Sequence, residues 1–509
     1  MTGARERWLA LSVLCMSLLA VVVDNTIVNV ALPTLARDLP ADVADLQWVV
    51  DAYTLVFAGM LLLAGALGDR FGRRRTLLCG LAVFGAASAS AAYAGGVEGL
   101  ILARAVMGAG AAFVMPATLS LLISVFSDAR ERTMAIGIWA ATAGLGVALG
   151  PVVGGYLLDS FWWGSIFLVN VPLTAVALVA GRRLLPESRD RVARRIDWRG
   201  AGLSGAGLVA LVWAFIEAPS KGWTSPTILA AFGVAAVVLG AFMAWELRTR
   251  EPMLDIRLFR NPRFSGASAA ITLVFFSMFG SIFFLTQYLQ GVLDFSALEA
   301  GLRVTPIAVG LILGGPISAK LAERVGTKRV VTAGLVLVAA GLTIVTQFQV
   351  DSSYGIVAAH LLVLGFGMGM AMAPATESVM GSLPLEKASV GSAVNDTTRT
   401  TGGALGVAIL GSLLASQYRG DMDEAVAGLP HRAADLAGDS LGGGLAVAHK
   451  LGSPELVDAA HTAFVNGMHV AALAAAGVAL LGAVVAAVVI PGRERESAPA
   501  AARLEAVPA

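Results

Sequence analysis

The sequence predicts an all-α integral membrane protein of fourteen transmembrane helices. They are arranged as two six-helix bundles with two further helices inserted between them. Three observations predict this. Of the 509 residues 57% are hydrophobic and only 14% charged, against about 45–50% and about 25% in soluble domains. Fourteen apolar runs are separated by charged breaks, each run long enough to cross a bilayer core of about 30 Å at about 1.5 Å per residue. One charged turn pattern occurs twice.

In chain order, the first run (9–33) carries Asp24 and Asn25. It exceeds the apolar core of a cleaved signal peptide, roughly 7–15 residues. The second (46–68) holds Asp51 in WVVDAYTL and ends on GDRFGRRR (68–75), which separates it from the third (76–95). The fourth (98–125) carries Arg104, and the fifth (134–158) contains GLGVALGPVVGG (144–155). The sixth (161–181) stops at RRLLPESRDRVARRIDWRG (182–200). The seventh (201–217) and eighth (227–247) are the inserted pair, closed by RTREPMLDIRLFRNPRF (248–264). The ninth (265–289) is rich in Phe, and the tenth (299–319) leads into AKLAERVGTKRVV (319–331). The eleventh (330–349), the twelfth (354–380, with His360), the thirteenth (391–416) and the fourteenth (463–490) complete the set. Backbone groups in lipid must be satisfied within the segment, so each run is expected as a helix.

Charge sets the orientation. With the N-terminus inside, 28 of the 36 Lys and Arg fall in inner segments, 6 in outer ones, and Arg104 and Arg399 within runs. That bias predicts a multi-pass bacterial cytoplasmic-membrane protein with both termini in the cytoplasm. The expected units are 1–181, a six-helix bundle; 182–264, cytoplasmic loops with the inserted pair; 265–490, the second bundle; and 491–509, a cytoplasmic tail. The longest outer segment, 417–462, has seven acids against three bases and is read as a short helical hairpin.

The repeated turn aligns without gaps. Leu67, Asp69, Arg70 and Gly72 meet Leu321, Glu323, Arg324 and Gly326, and Arg74 and Arg75 meet Lys328 and Arg329. Repeated bundles around a midplane site are a common build of secondary transporters. The glycines allow a tight reversal. The cluster Asp69, Arg70, Gly72, Arg73, Arg74 with Glu323 and Arg324 reads either as a solvated positive-inside loop or as a conformational latch, and the second copy favours the latch. In the fifth run Gly146, Gly150 and Gly154 share one face, Gly155 follows, and Pro151 removes a backbone donor. This suits close helix packing and a hinge or seal.

Ionisable groups inside lipid are costly and by default mark an ion or substrate path. Asp24 and Arg104 are a candidate pair across the first and fourth spans. Asp51 is either an interfacial residue or a second intramembrane acid. Asp396 and Arg399, three apart in NDTTRTTGGALG (395–406), form either an ion pair or a titrating site. Burial favours the neutral carboxyl and a nearby arginine the charged one, so an acid between the two can exchange protons. His360 reads as a hydrogen-bonded core residue. Asn25, Asn29, Phe279, Phe283 and Gln287 are candidates for a pocket between the bundles, and Phe279, Phe283 and Phe284 equally fit a lipid-facing surface.

Other chemistries find no support. None of the five lysines follows a glycine, so no Gly-Lys-Ser/Thr phosphate loop exists and no ATP is expected. The five histidines have no metal-ligand spacing, and no metal or catalytic triad is expected. A net charge of +1 gives no sign of a nucleic-acid partner. Cys15 and Cys79 lie in apolar runs, so no disulfide framework is predicted. An ion gradient is the remaining energy source, with no cofactor.

The motifs resemble a known family. GALGDRFGRRR is similar to the loop between helices 2 and 3 of the major facilitator superfamily. LILARAVMGAG (100–110) is similar to its fourth-helix arginine motif, GVALGPVVGG (146–155) to its fifth-helix antiporter motif, and LAVVVDNTIVNVALP (19–33) to the first-helix motif of the fourteen-helix drug:proton antiporters of the EmrB/QacA type. The resemblance implies a major facilitator fold. It implies proton-coupled export of hydrophobic, often cationic drugs or antibiotics by alternating access, working as a monomer in lipid. Asp24 then resembles the helix-1 acid, Arg104 the proton-relay arginine, Asp51 the acid of the branch handling organic cations, and Asp396 its helix-13 acid. An exporter of an endogenous lipid or secondary metabolite is the alternative on the same fold.

Overall fold

The computed structural model describes residues 4–39, 41–126, 128–189, 197–249, 252, 254–382 and 388–491. Among them every regular element is helical. The helices are α1 Ala4–Asp38, α2 Val43–Phe71, α3 Arg73–Ala92, α4 Val97–Val125, α5 Ala129–Ser160, α6 Ser165–Leu168, α7 Asn170–Leu184, α8 Trp198–Lys221 and α9 Pro226–Arg248. They continue as α10 Pro262–Gly291, α11 Ala297–Arg303, α12 Pro306–Val325, α13 Thr327–Ile344, α14 Tyr354–Gly381, α15 Ala388–Val426, α16 His431–Asp439, α17 Leu441–Leu451 and α18 Pro454–Val489. Twelve described segments are long and apolar enough to cross a membrane. The long helices α2 and α15 lie between them in chain order, so the helix order is compatible with fourteen spans.

Two large buried cores organise the chain. One is drawn from α1–α7 and the other from α10–α18. Phe283 and Val407 of the second half project into the core of the first. The repeat seen in sequence recurs in packing: α4 lies on both α2 and α3, and α14 on both α12 and α13. Small residues set both approaches. A Cβ on Gly80 would meet Gly110 O at 2.8 Å, and one on Gly334 would meet Gly367 O at the same distance.

The face bearing the start of α1 and the end of α18 is called proximal here and the opposite face distal. Three sets of hydrogen bonds tie the two halves together towards the distal face. Gln290 Nε2 donates to Val30 O at 2.8 Å. Gln47 Nε2 donates to Val407 O at 3.0 Å and Ala408 O at 3.1 Å. Asp159 accepts from Ser296 Oγ at 2.9 Å and from the backbone N–H groups of Ala297 and Leu298 at 3.1 and 3.2 Å. The halves are thus joined distally.

Segment 417–462 is helical, and α15 itself runs on to Val426 before α16 and α17 fold back. Tyr418 Oη bonds Ala437 O and Ser440 O at 3.1 and 3.0 Å, and Arg419 pairs with Asp439 at 2.5 Å. Partial burial pushes the Asp439 carboxyl above its usual range, and the Arg419 guanidinium opposes that shift.

The inserted helix α8 lies across the seam between α2 and α15, where Leu55, Val212, Ile216, Ala404 and Ala408 form a small separate core. Pro219 sits inside α8 and has no N–H for Phe215 O, its i−4 carbonyl. Ser412 Oγ of α15 lies 2.6 Å from that oxygen and 2.5 Å from Ala408 O. A hydroxyl has one proton, Ala408 O already accepts from Gln47, and Phe215 O has lost its helical donor, so Phe215 O is the acceptor with the greater need. One turn on, Trp223 Nε1 donates to Ser416 Oγ at 3.0 Å. We expect Ser412→Ala to destabilise the protein by about 0.5–1.5 kcal/mol, the net worth of one hydrogen bond to a partly buried carbonyl. Pro219→Ala restores an intrahelical donor, so the same serine change in that background costs less than half as much. Thermal unfolding of the four proteins in detergent measures this, and equal costs in both backgrounds would refute it.

Candidate functional site

The charged centre lies within the first half. α1 brings Asp24, α4 brings Arg104, and both are buried, at 0% and 1% exposure. Arg104 Nη1 meets Asp24 Oδ2 at 2.6 Å. Arg104 Nε donates to Val49 O of α2 at 3.0 Å, and the guanidinium lies 4.3 Å from the centroid of the Tyr53 ring. Close approach of α4 to α2 depends on Gly108, where a Cβ would run into the Tyr53 carbonyl. The other carboxylate oxygen, Asp24 Oδ1, accepts from Asn170 Nδ2 of α7 at 2.8 Å. Asn170 Nδ2 also lies 3.2 Å from Ser88 Oγ of α3, whose hydroxyl points to Met107 Sδ at 3.8 Å. Four helices thus surround one carboxylate. Asn170 was not singled out from the sequence, although a lone amide in FLVNVPLTAV (167–176) was its available signal.

Asp51, one turn beyond Gln47 on α2, is fully buried, and neither carboxylate oxygen has a hydrogen-bond partner among the described residues. The interfacial reading of this residue therefore does not describe it: α2 is covered by α15 and α8 at this depth. Gln47 shares its helix face and reaches the α15 backbone. Asp51 thus sits where the two halves meet, as an acid without a counter-charge.

Asp396 and Arg399 lie on the proximal half of α15. Arg399 Nη2 donates to Thr376 Oγ1 at 3.2 Å, and its guanidinium is 5.5 Å from the Phe275 ring centroid. Among the described residues it makes no ion pair within 4.0 Å with Asp396. The structure therefore joins Asp24 to Arg104 directly and leaves the second acid and base to interact across space.

The pocket candidates divide. Asn29 is buried, donates to Asn25 O at 3.3 Å, and leaves its Oδ1 without a donor. Phe279 is half-buried and stacks on Phe275 at 6.1 Å. Phe283 and Phe284 are fully buried, which removes the lipid-facing reading for both. Gln287 donates to Phe283 O of its own helix at 3.0 Å. His360 is a bonded core residue, with Nδ1 2.7 Å from Gly341 O and Nε2 3.2 Å from Ser281 Oγ.

The glycine face of α5 packs on α1. A Cβ on Gly146 would meet Val22 at 2.9 Å, one on Gly154 would meet Ile27 at 2.5 Å, and Gly150 faces Thr26. Gly155 faces Ala297 and Leu298 of α11, and Gly301 faces the Pro151 carbonyl. The run is thus wedged between α1 and the second half at the distal seam.

The charged turn engages its own half. Gly72 has φ +112°, a region favouring glycine, and Gly326 of the second copy has φ +90°. A Cβ on Gly72 would lie 2.6 Å from Glu187 Oε1. Glu187 Oε1 accepts from the N–H of Arg74 at 3.1 Å, and Oε2 lies 3.8 Å from Arg74 Nε and 3.6 Å from Arg75 Nε. Arg73 N donates to Ser188 O at 2.8 Å. The segment 185–188 thereby caps the start of α3, where free N–H groups attract an acid. Arg70 lies over Phe71 at 5.6 Å, and Glu323 and Arg324 occupy the matching end of α12. The side chain of Asp69 lies outside the described residues. Glu187 carried no sequence signal beyond being one charge among many in a loop.

Comparison with known proteins agrees with this architecture. A family model described as Major Facilitator Superfamily matches residues 14–407. The multidrug efflux pump LfrA of Mycolicibacterium smegmatis is 39% identical over 94% of this chain and 96% of its own length. The tetracenomycin C resistance and export protein of Streptomyces glaucescens is 34% identical over 98% and 94%. The methyl viologen resistance protein SmvA of Salmonella typhimurium is 34% identical over 94% and 96%. Among solved structures, an inward-facing bacterial homologue of the human lysosomal transporter Spinster superposes with a TM-score of 0.68 at 16% identity. It covers 96% of this chain and 98% of that one, and the likeness concerns the fold.

Proposed function

This chain belongs to the major facilitator superfamily and is a secondary transporter, and on that premise we propose that it exports hydrophobic, often cationic, drugs or antibiotics in exchange for protons. The names of its relatives, which include efflux, resistance and export proteins, support the cargo class and direction. The observation that carries the coupling is the buried Asp24–Arg104 pair at 2.6 Å.

A proton arriving on Asp24 cancels the attraction that holds Arg104. The guanidinium is then left to Val49 O and the Tyr53 ring, and α1 and α4 are released from one another. Loss of the proton restores the pair. Asp51, buried without a counter-charge at the junction of the halves, has two ways to be satisfied: a proton of its own or the positive end of a cargo molecule. Competition between them gives exchange. The distal ties close one side. In this reading the proximal face is cytoplasmic, as the positive-inside bias requires. Each inward proton contributes about 2.3 kcal/mol per 100 mV. The working unit is a monomer in the bacterial cytoplasmic membrane.

The test uses proteoliposomes with an imposed pH difference and tetraphenylphosphonium as probe. Wild-type protein is expected to drive probe accumulation coupled to proton flux. Asp24→Asn is expected to reduce it more than 100-fold while the protein still reconstitutes. Unchanged coupled flux in that variant would overturn the assignment.

A further inference from the structure

An amide beside an acid can do something a charge cannot. While Asp24 is ionised it only accepts, so Asn170 must present Nδ2, as observed at 2.8 Å. That choice leaves Asn170 Oδ1 buried with no donor. The same Nδ2 faces Ser88 Oγ, and Ser88 donates only to the weak acceptor Met107 Sδ, at 3.8 Å. An orphaned carbonyl and an under-used hydroxyl therefore lie on one buried amide.

We infer that Asn170 is a positioning residue that registers whether Asp24 carries a proton, by turning its amide over. With Asp24 ionised, Nδ2 donates to Asp24 Oδ1. With the proton on Asp24 Oδ1, the amide rotates about Cβ–Cγ, its oxygen accepts that O–H, and Ser88 swings from Met107 to donate to the same oxygen. No bond is made or broken beyond the one proton gained from the conducting path. In both states the contact between Asn170 and Asp24 then pairs a donor with an acceptor, which neither a hydrophobic residue nor a fixed cation achieves. The charged and titratable groups facing the carboxylate are Arg104 of α4 and Tyr53 of α2. The other helices packed on α1 bring no further charged group to it among the described residues. Asn170 opens α7 directly after the short helix α6, so its rotation acts at a break in the sixth span. The inference rests on the reading of Asp24 as the proton site.

Infrared difference titration of the purified full chain in lipid nanodiscs tests it. The carboxylic-acid C=O band of Asp24 is identified by its loss in Asp24→Asn. Asn170→Leu removes a charge-assisted bond from the ionised state and a weaker neutral bond from the acid, so the acid is favoured on balance. Asn170→Leu is therefore expected to raise the midpoint of that band by about one pH unit. Ser88→Ala, which affects both states alike, is expected to move it by no more than a few tenths. A midpoint unmoved by Asn170→Leu, with the Asp24 band present, overturns this inference alone. Absence of any Asp24 band overturns the proton-site reading and this inference with it. If Asn170→Leu does not fold, wild-type protein carrying 13C-labelled asparagine supplies the measurement. A side-chain amide band must shift as Asp24 takes its proton and stay still in Asp24→Asn, and a band that stays still in both refutes the rotation.

Discussion

Arg104→Leu abolishes coupled transport and destabilises the fold by about 3–5 kcal/mol, the expected cost of stripping one partner from a buried ion pair. The size of the effect follows from burial. Asp24 at 0% exposure is not solvated in this state, and Asn170 supplies one neutral donor where Arg104 supplied a charge at 2.6 Å. The lost arginine also releases the Val49 carbonyl and the face of Tyr53. Chemical unfolding in detergent reads the stability, and the flux assay reads transport. The double variant Arg104→Leu with Asp24→Asn separates the two contributions. Most of the lost stability is expected to return because no unpaired charge remains, while transport stays absent. If the single variant unfolds at the wild-type denaturant concentration, the ion pair is not what holds α1 to α4.

Gly155→Leu is expected to abolish transport with little loss of fold. A side chain there enters the backbone of α11 at Ala297 and Leu298, so α5 cannot reach the second half. The clash lies between the halves and spares both cores. Overpacking of about 1–3 kcal/mol charged to the distally closed state alone shifts the balance of states about 5–150-fold. A cysteine at Asn29, in a background with Cys15 and Cys79 changed to Ser, reports the shift. Its labelling by a membrane-impermeant maleimide from the distal side is expected to rise at least tenfold. Unchanged labelling with intact flux would show that this seam does not need to close.

The helices were legible because lipid forces one solution: apolar runs of sufficient length become helices, and the runs stand apart in the text of the chain. The Asp24–Arg104 pair was legible because charges are rare in such runs, so two on neighbouring helices invite pairing. What the sequence left open turns on neighbours. Asp51 also read as an interfacial acid, a reading that its cover by α15 and α8 removes. Phe283 read equally as lipid-facing until it was found in the core of the opposite half. Gln47, Asn170 and Asp159 gave little warning. The first two are neutral amides that leave apolar periodicity nearly unbroken, and Asp159 sits at a helix end where acids are common. Their partners add to the difficulty, since Gln47 and Asp159 mostly address main-chain atoms, which no pattern of side chains announces.

The distal ties carry a consequence for how the molecule tolerates drift. Gln290 reads the carbonyl of Val30, Gln47 those of Val407 and Ala408, and Asp159 two amide hydrogens of α11. A peptide carbonyl survives any exchange of the side chain beside it, and an N–H survives any exchange except to proline. Apart from the bond between Ser296 and Asp159, each closure contact therefore has one side-chain end that substitution removes and one main-chain end that most substitutions leave in place. Selection for a new cargo can rewrite Val30, Val407 or Ala408 without unfastening the gate, provided the replacement fits the space.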